Sequence, residues 1–222
     1  MTQTACYFIS GSPSCWTVML ALAVKGVPYD AIRLSNTMGD QKAEAFRTIN
    51  PRGTVPVLVD GDVTVRETNA VLAYLNAAYP ENPLFGSNPA ETAAIWQIVQ
   101  EAESRYRTPI GNITRPIFRG KTSEKADELN EAIVPVRTDL KELESGLGER
   151  DWLVGTHLTA ADLALYPAVM QLLRGATKDD ASLLDLRVAP LAEYFPVLAG
   201  WCNRIEVLPG YDSAYPPHWR DD

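Results

Sequence analysis

Ser12 follows a short apolar and aromatic run, Cys6-Tyr7-Phe8-Ile9, and precedes Pro13, which suits the first turn of a helix. A side chain at such a strand-to-helix turn meets free backbone N–H groups and the positive end of the helix dipole. A sulfur held there is favoured as thiolate, because a helix N-terminus lowers a thiol pKa from its usual value of about 8.5. The Ser12 hydroxyl could donate a hydrogen bond to that thiolate. To act as a nucleophile it would need a base, and neither His157 nor His218 stands near it in the chain. A serine-hydrolase reading therefore has little support. Two further groups could bind a peptide. Val55-Pro56 enters an apolar strand, where proline cannot donate to a ladder and where the bond is a candidate for the cis form. A cis bond would turn the N–H and C=O of Val55 outward, within reach of an extended peptide. Glu67-Thr68 begins the following helix, whose free N–H groups and dipole favour a carboxylate.

Those groups need a scaffold, and the flanking pattern supplies one. A helix over Ser14 to Lys25 stops at Gly26, and Tyr29 to Leu34 reads as a second strand. Two strands joined by a helix of that length imply a parallel pair with a right-handed crossover. A short helix (Lys42 to Thr48) leads into the turn Asn50-Pro51-Arg52-Gly53-Thr54. A strand, an Asp60-Gly61 hairpin turn and a second strand follow, and a helix over Glu67 to Ala78 closes the unit. Taken singly, these pieces are also an ordinary hairpin and a capped helix.

In this order, the run Asn50 to Asp62 continuing into Arg66-Glu67-Thr68-Asn69-Ala70 resembles the glutathione transferase superfamily. The resemblance extends over essentially the full chain and is strongest at residues 50–70 and 152–167. It implies an α/β thioredoxin-like N-terminal domain over residues 1–79, a linker over 80–89 and an all-α C-terminal helical domain over 90–222. It also implies that Val55-Pro56 holds the cysteinyl part of glutathione and Glu67-Thr68 the γ-glutamyl part, with Thr68 in place of the usual serine. Thr54 occupies a position where many relatives carry lysine or glutamine toward the glycine end; Arg52, Gln41 or Lys42 could serve instead. Gly11-Ser12-Pro13-Ser14-Cys15 looks like the catalytic loop of serine-type members of the delta, theta and zeta classes, with Ser12 on the catalytic serine. Pro13 and Ser14 depart from the usual order, so Ser10 and Ser14 are rivals, Ser14 the stronger. Ser12 is also a plain helix cap.

The second half is helical in pattern, beginning with a long helix from Ala90 to about Tyr106. Ser123 to Leu147 places Ala126, Leu129, Ile133, Val136, Leu140, Leu143 and Leu147 on one stripe, with Pro135 expected to kink it. Pro109 to Arg119 reads as less regular, Thr159-Ala160-Ala161-Asp162 as a capping box, Leu191 to Ile205 as a last helix, and Tyr215 to Trp219 as extended. By resemblance, a small, mostly apolar electrophile would sit between the domains, bounded by the Ser12 loop, the Tyr106 region and the helix that Thr159 opens, with Tyr106, Arg107, Arg115 and Arg174 as lining residues and Asn112 and Trp219 behind them. Arg174 lies seven residues after Pro167, similar to an arginine that zeta-class isomerases use for a substrate carboxylate. Glutathione-dependent isomerisation or dehalogenation of a carboxylate-bearing substrate is thus the alternative, and a non-catalytic binding module a third. The family also implies a homodimer, in which Glu101 or Glu103 could reach the partner's glutathione.

Bulk composition narrows the classes. A formal net charge of −8 disfavours a nucleic-acid partner. No apolar run is long enough to span a membrane, and the N-terminus lacks the basic and apolar regions of a signal peptide. Three well-separated cysteines and two histidines argue for free thiols, a cytoplasmic setting and no metal. Cys15 sits three residues after Ser12, the second position of a Cys-x-x-Cys pair whose first thiol is missing, so it reads as a packed helix residue.

Overall fold

A computed structural model describes residues 4–220. The signal-peptide reading of the N-terminus rests partly on residues 1–3, which lie outside it. The chain forms two compact units, one running through Leu84 and resuming at Leu208, the other Phe85–Val207. The tail from Leu208 thus belongs with the first unit, whereas sequence patterning assigns it to the helical one.

In the first unit, β1 (Thr4–Phe8) leads into α1 (Pro13–Val24), β2 (Asp30–Arg33) and a short α2 (Glu44–Arg47). The antiparallel pair β3 (Val57–Asp60) and β4 (Val63–Arg66) follows, then α3 (Thr68–Ala78). The sheet has the order β2-β1-β3-β4, with β1 parallel to β2 and antiparallel to β3. This mixed sheet with its parallel β1–α1–β2 unit is the thioredoxin-like arrangement expected. Helix α1 is buried continuously from Cys15 to Leu22, so it shows no amphipathic stripe. It packs against α3, whose Val71, Leu72 and Leu75 are fully buried. Each such side chain removed from water contributes about 1.5–3 kcal/mol.

The hairpin turn is centred on Gly61-Asp62, one residue later than the expected Asp60-Gly61. Gly61 takes the positive φ of 58° that the turn needs. Asp60 is retained by the ladder because its carboxylate collects Thr4 Oγ1, Tyr74 Oη and Tyr79 Oη as donors. At the far end of α1, Lys25 buries its ammonium against the carbonyls of Tyr79, Glu81 and Asn82, tying that helix to the start of the linker.

In the second unit α4 (Pro89–Glu101), a π-helical segment (Ala102–Arg107) and α5 (Thr108–Phe118) run on from one another. The region expected to be irregular is therefore helical. Pro109 has no N–H for the carbonyl one turn earlier, and the wider turn immediately before it accommodates that loss. The buried stripe of α6 (Ala126–Leu147) is Leu129, Ile133, Val136, Leu140 and Leu147, with Pro135 on the exposed face. Helix α7 (Ala160–Ala176) opens with the capping box at Thr159 and Asp162. Asp162 is fully buried, and it accepts from Leu153 N, Thr159 N, Thr159 Oγ1 and Trp201 Nε1. Burial raises its pKa and these donors oppose the rise. The expected last helix is two, α8 (Leu191–Tyr194) and α9 (Pro196–Glu206), because Pro196 forces Phe195 out of helical geometry. The tail is not extended: it forms a helical turn at Tyr211–Ala214 and a 3-10 turn at Pro217–Trp219. Among the described residues no helix is long and apolar enough to cross a membrane.

Candidate active site

Strand pairing brings the separated groups to one end of the sheet. Tyr7 pairs with Val57, so the loop that follows β1 runs beside the Val55-Pro56 approach to β3. Val57 also pairs with Arg66, which puts Glu67 and Thr68 at that same end. Phe8 pairs with Arg33, and Leu34 N donates to Phe8 O, so the loop after β2 belongs there too. Four connections from distant parts of the sequence therefore border one edge.

Ser12 is the N-cap of α1, with φ −76° and ψ 119°. Its Oγ accepts from Cys15 N at 3.4 Å, a long bond that uses one lone pair and leaves the hydroxyl proton to be donated elsewhere. The cap and the catalytic readings of Ser12 are thus compatible. Val55-Pro56 is cis, and Val55 lies outside the β1–β3 pairing. Thr54 is engaged locally: its carbonyl and Oγ1 both accept from Nδ2 of the fully buried Asn50. Asn50 Oδ1 accepts from Arg52 N, so this asparagine organises the whole turn. Gly53 has a positive φ of 63°, and a Cβ there would stand 2.7 Å from the carbonyl oxygen of Gln41, so only glycine fits. Glu67 caps α3 from a backbone of φ 69° and ψ 124°, rare for a residue with a side chain, and its Oε1 is 2.8 Å from Arg52 Nη1. Thr68 is buried as the first residue of α3, among the N–H groups that a helix start leaves open.

The structure adds a residue that sequence reasoning missed. His218, from the tail, places Nδ1 2.7 Å from Ser10 Oγ. Gly11, at φ 78°, lies beneath it: a Cβ there would be 2.7 Å from His218 Cε1 and 3.1 Å from Trp219 Nε1. Trp219, Tyr211 and Tyr215 gather around Trp16 of α1. A signal existed in the density of aromatics after Leu208 and the lone Trp16 in the first helix, but nothing in spacing joined them.

Of the proposed electrophile contacts, all but Trp219 fall in the second unit. Tyr106 is buried, and its hydroxyl donates to Asp139 O, so it fastens the π segment to α6. Burial pushes its pKa up to about 12. Arg107 is mostly covered, bonding Glu103 and the carbonyl of Ala164. Arg115 is exposed and lies back along its own helix over Gly111, and Asn112 is exposed. Arg174 is half-buried in the last turn of α7. Cys6, Cys15 and Cys202 are all buried and unbridged.

Residues 7–83 match the family model for the glutathione S-transferase N-terminal domain, and residues 126–204 that for the C-terminal domain. Glutathione S-transferase Z2 of Arabidopsis thaliana is 31% identical over 90% of this chain and 84% of its own length. Glutathione S-transferase D6 of Drosophila melanogaster is 30% identical over 93% of this chain and 89% of its own. A crystal structure of a glutathione S-transferase from the Antarctic clam Laternula elliptica superposes with a TM-score of 0.84 at 28% identity, covering 100% of this chain and 95% of that one.

Proposed function

The chain belongs to the glutathione S-transferase superfamily, and from that premise we propose that it binds glutathione at the sheet end bordered by Ser12, Val55 and Glu67-Thr68 and activates its thiol for attack on a small electrophile. The observation that carries this reading is the convergence of those groups on one edge, with Glu67 held in a rare backbone conformation at the start of α3. The free N–H and C=O of Val55 suit the cysteinyl backbone, and the start of α3 suits the γ-glutamyl carboxylate. Glu67, steadied by Arg52, suits the γ-glutamyl amino group. Ser12, at the start of α1, donates its remaining proton to the thiolate, which the helix dipole also favours. Catalysis then consists of lowering a pKa and positioning a nucleophile, steps that need no covalent enzyme intermediate. Dimerisation is part of the same proposal.

Calorimetry with glutathione on the wild type and Glu67→Ala, beside a thiol-absorbance pH titration of the wild type and Ser12→Ala, tests it. Binding that Glu67→Ala weakens, with a bound-thiol pKa that rises in Ser12→Ala, is the expected result. No binding to the wild type at about millimolar glutathione overturns the reading.

A further inference from the structure

The loop after β1, the loop after β2 and the tail enclose a cavity of about 350 Å³, within the usual size of a small-molecule site. Its polar lining includes Ser10, Arg33, Ser35, Asn36, Asp40 and His218. Ser10, which lines the cavity, is separated from Ser12, the residue proposed to hold the thiolate, by Gly11 alone.

The charges in this wall are not equivalent. Asp40 is committed to its own loop: its Oδ2 accepts from Ser35 N at 2.8 Å, and its N–H donates to Ser35 O. Ser35 Oγ is engaged with Thr37 Oγ1 and Met38 N. Arg33, the last residue of β2, is exposed and forms no ion pair with a described residue. Asp40 is taken up by the Ser35 N–H, so the charged group left to receive an anion is the Arg33 guanidinium, whose planar fork matches a carboxylate. Opposite the β2 loop, Ser10 and His218 share a hydrogen bond and supply the other polar surface. A dianionic group such as a phosphate would meet more repulsion from Asp40 than a carboxylate does.

We propose that this cavity is the carboxylate-binding part of the electrophile site, with Arg33 pairing the acid group of the co-substrate and the Ser10–His218 pair walling it in. The proposal rests on the glutathione reading of the neighbouring Ser12. It departs from the mostly apolar electrophile expected from sequence, and it assigns the acid group to Arg33 of the first unit where the carboxylate-bearing alternative looked to Arg174.

A matched pair of ligands separates the two readings. S-(4-carboxy-2-nitrophenyl)glutathione and its aryl methyl ester differ only in the acid, and calorimetry gives the affinity of each beside free glutathione. The acid is expected to bind the wild type about two- to fivefold more tightly than the ester, as a pair with an exposed guanidinium allows. Arg33→Gln, an exposed change at a strand end, should abolish that difference while leaving free glutathione affinity unchanged. Equal binding of acid and ester to the wild type, or a difference that survives Arg33→Gln, overturns this proposal and leaves the transferase reading standing. Failure of free glutathione to bind overturns the transferase reading itself, and this proposal with it.

Discussion

Arg52 Nη1 lies 2.8 Å from Glu67 Oε1, an ion pair that joins the turn before β3 to the residue that starts α3. The side chains are 71% and 62% exposed, so the pair contributes only about 0–1 kcal/mol to stability. What the pair does is orient a carboxylate whose backbone is already held at φ 69°.

That backbone gives a prediction with two readouts. Glycine accepts a positive φ without the clash that any Cβ brings, so Glu67→Gly should be more stable than Glu67→Ala by about 1 kcal/mol. Both variants lose the carboxylate and should lose glutathione affinity alike. Denaturant melts and calorimetry on the two proteins check this. An alanine variant as stable as the glycine one would mean that the conformation costs nothing, and wild-type affinity in either would remove Glu67 from the site.

The cysteines yield a second expectation. Burial pushes the thiols of Cys6 and Cys202 well above the ordinary range, with Cys15 adding to the rise at Cys6 and Glu206 to that at Cys202. Cys15 itself is only 1% exposed. A thiol reagent should therefore find almost no reactive group in the native protein and all three after denaturation. Rapid native labelling at Cys15, with loss of glutathione-dependent activity, would revive a thiol–disulfide role.

Local chemistry explains which parts of this molecule could be read in advance. Val55-Pro56, the hairpin, the start of α3 and the Thr159–Asp162 capping box depend on residues within a few positions of one another, so their order in the chain discloses them. The break between α8 and α9 was legible too, in Pro196, but the apolar run around it masked the signal. Contacts across the chain were not legible. Ser10 and His218 are 208 residues apart, and the absence of a nearby histidine suggested that no base faced the serine loop. Tyr106 illustrates the converse: an aromatic beside two arginines reads as a pocket residue, yet its phenol is used to pin one helix to another.

The seat of the tail gives a third prediction, with an internal control. Gly11 and Gly26 both have positive φ, 78° and 64°, but only Gly11 is overlain, by His218 and Trp219. Alanine at Gly26 meets nothing within 4 Å and should cost only the backbone term, about 1–2 kcal/mol. Alanine at Gly11 should cost more and should lift the tail, changing the fluorescence of the Trp16–Trp219 pair, whose rings lie 5.3 Å apart, edge to face. Limited proteolysis after Leu208 reports the same event. Equal costs at the two glycines, with unchanged fluorescence and cleavage, would show that the tail does not rest on the serine loop.

Asp60 sets a dependence of stability on acid. Burial alone would raise its carboxyl pKa, but the hydroxyls of Tyr79, Thr4 and Tyr74 outweigh that and hold it below the ordinary 3.8. A group whose folded pKa is depressed gives up its proton more readily in the native state than in the unfolded chain. Its stabilisation is fully present above pH 3.8 and is lost as pH falls through the lower folded value. Asp60→Asn cannot ionise, so it lacks this contribution at neutral pH and has nothing to lose on acidification. Urea midpoints of the two proteins should therefore differ most near neutrality and converge in strong acid. Burial first, and then the bond to the Asp60 carboxylate, push the Tyr74 phenol up to about 12, which an ultraviolet titration can follow. A gap between the urea midpoints that stays constant with pH would show that the hydroxyls do not favour the ionised carboxylate, and the hairpin end would then owe its place to the β1–β3 and β3–β4 ladders alone.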